Sequence, residues 1–100
     1  MEYNKLVRDR IPEIIKEAGK ECAYHVADEK EYYAKLREKL REEVEEFLED
    51  PCLEEAADIL EVLETILNQE KYRGAQAEQI ARRVTRGGFA ERIILEWVES

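Results

Sequence analysis

The chain has 100 residues, with 16 Lys+Arg against 25 Asp+Glu, a formal net charge of −9 and 44% hydrophobic residues. That balance disfavours wrapping of duplex nucleic acid, which needs surplus Lys and Arg to neutralise phosphates. It leaves room for phosphate ligands when a cation stands between carboxylate and phosphate. No stretch approaches the roughly 18 nearly uncharged apolar residues of a membrane span. Met1-Glu2-Tyr3-Asn4-Lys5 lacks the apolar run of a secretory leader, so a cytoplasmic protein is expected. Cys22 and Cys52 have no zinc-like spacing and are too few for a disulfide scaffold.

Length and periodic apolar blocks predict one domain over residues 1–100, mainly α-helical. Pro12 suits the first turn of a short helix carrying Ile11, Ile14, Ile15 and Ala18, and Gly19 suits its end. Cys22 to Ala27 has no helical period and reads as an extended connector. Asp28 is placed to cap the next helix, with Glu31 three residues on. Tyr33, Leu36, Leu40, Val44 and Phe47 then follow at helical spacing until Pro51 forbids continuation. A second long helix is predicted from about Cys52 to Tyr72, with Leu53, Ala56, Ala57, Leu60, Leu63 and Leu67 on one broad face. The two are expected to run antiparallel, joined tightly at Glu49-Asp50-Pro51. Ala75 to Arg86 reads as a shorter helix ended by Gly87-Gly88. Phe89 to Val98 fits either a short strand or another helical turn.

Glutamate is abundant, so acidic spacing alone carries little information. Direction around the helix is more selective. At about 100° per residue, Glu43 falls beside Leu36 and Phe47, with Glu46 one turn on, whereas Glu45 points away from the apolar arc. On the second long helix Glu55 lies between Val62 and Ile66, and Asp58 flanks Val62 on its other side. Four carboxylates bordering one core repel one another, and a buried carboxylate needs a cation or a proton. An all-oxygen set suits Mg²⁺, Mn²⁺ or Ca²⁺ rather than zinc or copper. The plainer alternative is pairing with Lys35, Arg37, Lys39 or Arg41 on neighbouring turns. A di-iron site is disfavoured because the one histidine, His25, lies outside the long helices. His25 reads as a surface or packing residue.

Glu42-Glu43-Val44-Glu45-Glu46 followed by Glu54-Glu55-Ala56-Ala57-Asp58 resembles the EExxE…ExxD signature of the all-α nucleotide pyrophosphohydrolases. That superfamily includes MazG, the dUTPase/dCTPase group and phosphoribosyl-ATP pyrophosphohydrolase. The flanking Asn4-to-Pro12 block, Lys39-Leu40-Arg41-Glu42-Glu43 and Arg86-Gly87-Gly88-Phe89 are similar to its small MazG-like house-cleaning members. The resemblance implies an all-α NTP pyrophosphohydrolase-like fold and cleavage between the α and β phosphates of a nucleotide. It implies Mg²⁺ held by Glu43, Glu46, Glu55 and Asp58, and assembly as a homodimer or homotetramer. Glu42 is then an outer partner or the general base, beside Glu43. Lys5, Arg8 and Arg10, and after them Arg82, Arg83 and Arg86, are candidates to meet the phosphates. Only eight residues separate Glu46 from Glu55, a shorter spacing than in MazG. Two other readings are phosphoribosyl-ATP pyrophosphohydrolase of histidine synthesis and a catalytically silent acidic helical dimerisation module.

Overall fold

A computed structural model describes residues 4–100, leaving Met1, Glu2 and Tyr3, part of the stretch read for a leader, outside the described residues. The protein is mainly helical, and the described residues contain no strand. Among the described residues no helix is long and apolar enough to cross a membrane. The chain divides into two compact units, one reaching to Ile66 and the other running from Leu67 to Ser100.

The described part of the first unit has a non-helical segment from Asn4 and then α1 (Ile11–Glu17), which has Pro12 in its first turn. Proline is tolerated there because that amide has no intrahelical acceptor. At the other end Lys20 N–H donates to the Ile15 carbonyl at 3.2 Å and Gly19 N–H to that of Lys16 at 2.9 Å. Gly19 takes φ +80°, the left-handed conformation in which a Cβ is disfavoured, so this helix ends in a Schellman motif.

After the irregular connector comes α2 (Glu29–Glu49), the longest element. Asp28 accepts a hydrogen bond from Glu31 N–H at 2.9 Å, which satisfies one free amide at the helix start. The connector is tied to the same end by His25, whose Nε2 lies 2.9 Å from Glu31 Oε1. Glu49 is the last helical residue, two before Pro51, and Asp50 N–H still donates to the Glu46 carbonyl at 3.0 Å. The chain then reverses, and α3 (Leu53–Leu67) returns along α2. This antiparallel pairing brings Glu43 on α2 close to Glu55 and Asp58 on α3.

The helix predicted to reach Tyr72 is shorter. It ends at Leu67, and Gln69 has extended backbone at φ −67° and ψ 141° before a 3₁₀ turn at Glu70–Tyr72. Asn68 stands at the break; its side chain competes for backbone hydrogen bonds and makes it a weak helix former.

The faces of α3 separate by chemistry. Glu55, Asp58, Ile59, Val62 and Ile66 are half-buried. The leucine face is outside: Leu53 is 81% exposed and Leu60 56%. On α2, Leu36 and Glu43 are buried, while Leu40, Val44 and Phe47 are only half-buried. Leu36 is the one fully buried hydrophobic side chain among the described residues. The apolar arc expected to form a core on α2 is thus only partly covered.

In the second unit α4 (Ala75–Arg86) follows the predicted limits. Gly87 ends it at φ +84°, with its N–H 2.8 Å from the Arg83 carbonyl. Glu78 and Arg82 pair along its surface at 3.1 Å. Ile80 and Val84 are exposed. Beyond a turn closed by Arg92 N–H on the Phe89 carbonyl, Ile93 to Val98 is neither helix nor strand. A strand requires a partner ladder, and the described residues supply none.

Candidate metal centre

Glu43 is the residue around which the site is built. It lies about two turns along α2 from Leu36 and is 6% exposed, where a carboxylate is rarely found without a partner. Lys39, one turn earlier on the same helix, holds its ammonium 3.3 Å from Glu43 Oε1. Oε2 of Glu43 is buried with no hydrogen-bond partner, and so is Oε2 of Glu55. Burial holds the Glu43 carboxyl above the ordinary glutamate range; Lys39 opposes that shift, and the charges of Glu46 and Asp58 add to it.

Oxygen atoms of Glu43, Glu55 and Asp58 lie within 4.8 Å of one another. Three of the four carboxylates singled out by direction around the helices therefore converge. Glu46 is half-buried and near enough to disfavour charge on Glu43, but it is not part of that group. Glu42 sits at the rim, 3.5 Å from Lys39 and 3.6 Å from Lys5.

Basic residues reach the cluster from two directions. Lys39 comes from α2 itself, and the segment ahead of α1 supplies Lys5 and Arg8. Arg8 Nη2 donates to Asp58 Oδ1 at 2.8 Å, joining positions 50 apart in the chain. Arg10 turns elsewhere, pairing with Glu13 at 3.1 Å on its own segment. Arg82, Arg83 and Arg86 belong to α4 in the second unit, Arg82 on Glu78. The pairing alternative is thus realised for one acid, with Lys39 on one oxygen of Glu43, while Lys35 pairs with Glu38 and Asp58 is met instead by Arg8 from the segment ahead of α1.

A cavity of about 70 Å³ adjoins the cluster, lined among others by Arg8, Lys39, Glu43, Asp58 and Glu61. Glu43 and Asp58 face this space, while Glu55 is not among its lining residues. A larger hollow, about 370 Å³, runs along α1 between Asp9, Glu13, Lys16, Glu17 and Tyr24. Its charged lining is exposed to solvent and contains none of the converging carboxylates, so the smaller cavity is the chemically pointed one.

Leu6, Val7 and Glu61 also line the smaller cavity and were not anticipated. Glu61 had a signal, since it stands three residues after Asp58 on one helical side. The placement of Leu6 and Val7 depends on how a non-helical segment packs, for which the sequence offers no period.

No protein-family model, curated protein or solved structure matches the chain.

Proposed function

We propose that the chain is a Mg²⁺-dependent nucleotide pyrophosphohydrolase of the MazG-like kind, releasing a nucleoside monophosphate and pyrophosphate. House-cleaning of unwanted nucleotides is the role that fits the amino-terminal block better than histidine synthesis. The observation that carries the reading is the convergence of Glu43, Glu55 and Asp58, one oxygen of each within 4.8 Å of the others, where Glu43 and Glu55 each also keep a buried oxygen without a partner. An all-oxygen acidic donor set matches a hard divalent cation.

Glu43, Glu55 and Asp58 would hold the ion, with Glu46 adding negative charge from the next turn. Bound there, Mg²⁺ supplies neutralisation of phosphate oxygens and polarisation of the anhydride. Glu42, outside the ion-holding group, takes the part of the base that removes a proton from attacking water. Lys5 and Arg8 are more than half exposed along their side chains and act on the charge of the leaving pyrophosphate.

Assembly belongs to the same proposal. A chain that leaves Leu48, Leu53 and Leu60 more than half exposed has an apolar face of the sort that packs between subunits. A homodimer or homotetramer formed through the leucine side of α3 covers it.

The test is pyrophosphate release from canonical, deoxy, oxidised and phosphoribosylated nucleotides, with Mg²⁺ and in EDTA. Release with Mg²⁺ from the wild type, absent in Glu55→Ala and Asp58→Ala with helical circular dichroism retained, is the expected result. Full activity in both variants refutes the assignment. No release from any nucleotide leaves the silent helical module.

A further inference from the structure

We propose that Arg8 is an exchangeable counterion: its guanidinium neutralises Asp58 in the metal-free protein and leaves when a divalent cation enters among Glu43, Glu55 and Asp58. The inference rests on the metal reading and adds a control on its occupancy.

The charges near the cluster are unevenly satisfied. Within the group, Lys39 reaches Glu43 Oε1, sharing its charge with Glu42 at the rim, and Arg8 reaches Asp58 Oδ1, yet Oε2 of Glu43 and of Glu55 remain buried and unpartnered. A planar guanidinium makes directed contacts along its edge and here serves one acid. A small divalent ion is compact enough to serve three oxygens within 4.8 Å of one another. Once it does, Asp58 no longer needs a monovalent partner, and the like charge of the guanidinium becomes unfavourable.

Arg8 rather than Lys39 is the group built to leave. Its side chain is 59% exposed against 21% for Lys39, so its departure costs little rehydration or packing. It is carried by a non-helical segment, whereas Lys39 is fixed one turn from Glu43 on α2. Exposed ion pairs are weak, which makes the exchange reachable at ordinary cation concentrations.

The experiment is calorimetric titration of the full chain with Mn²⁺, without nucleotide, comparing wild type with Arg8→Gln, Arg8→Lys and Lys20→Gln. Loss of a competing exposed pair predicts Mn²⁺ binding about three- to tenfold tighter in Arg8→Gln. Arg8→Lys, which keeps the charge, stays near wild type. So does Lys20→Gln, which removes equal charge from an exposed position. Equal or weaker binding in folded Arg8→Gln overturns the exchange while sparing the metal site; no Mn²⁺ binding in wild type or variant overturns both. A second readout needs no variant: the Arg8 Nε–H resonance of the labelled wild type shifts as Mg²⁺ saturates the site, and an unmoved signal refutes the exchange.

Discussion

Lys39 stands one helical turn before Glu43 and holds one oxygen of its carboxylate at 3.3 Å, while the other oxygen is buried without a partner. A single lysine therefore half-neutralises a group that two further acids, Glu46 and Asp58, push against. A charge kept in that setting costs stability unless something else arrives. The site is therefore expected to be costly when empty of cations and rewarding when filled.

Replacing Glu43 with Gln removes the charge at nearly constant volume. In EDTA the variant should be more stable than wild type by on the order of 1 kcal/mol, several degrees in Tm for a domain this small. Added Mg²⁺ should raise the Tm of wild type and leave Glu43→Gln unmoved. Thermal unfolding followed by circular dichroism checks both parts.

The acid shift of Glu43 has a definite sign in pH. Its carboxyl is raised in the folded state, chiefly by burial, so its ionised form is disfavoured there relative to the unfolded chain. The resulting penalty is full above the folded pKa and fades as the pH falls through it towards the ordinary glutamate range. The stability gap between Glu43→Gln and wild type in EDTA should therefore be largest near neutrality and close on acidification. A gap that widens on acidification contradicts the burial argument.

The leucine side of α3 can be tested apart from catalysis. A Leu60→Glu change places a charge on a face proposed to be covered by another subunit. Removing one buried leucine forfeits about 1.5–3 kcal/mol, and a two-fold contact loses it twice. Sedimentation should show the dissociation constant of the assembly rising more than tenfold, with the helical content of the chain retained.

Asp28 is a purely structural control. Its carboxylate accepts the Glu31 amide at the start of α2, far along the helix from Glu43. Asp28→Ala should lower stability by about 1 kcal/mol while leaving the wild-type Mn²⁺ affinity in place, measured by denaturant unfolding and calorimetry.

Much of this arrangement is readable from local chemistry. Asp28, Pro12, Gly19, Pro51 and Gly87 each act within a few residues of themselves, through a cap, a missing amide or a left-handed backbone, so the limits of α1, α2 and α4 could be drawn without coordinates. The direction of Glu43, Glu55 and Asp58 follows from the helical repeat in the same way. The break at Asn68-Gln69 carries weaker local signals and was overrun by the apolar period.

What the chain alone determined, then, is which segments coil and which acids share a side with apolar residues, because both depend on spacing along one helix. Only the tertiary structure decided that three of the four acids meet and Glu46 stays outside the group, that the leucines of α3 face outward, and that Arg8 rather than Arg10 reaches the cluster. Those outcomes depend on the packing of α2 against α3 and on the path of a segment without periodicity, and neither is encoded by the residues of any one element.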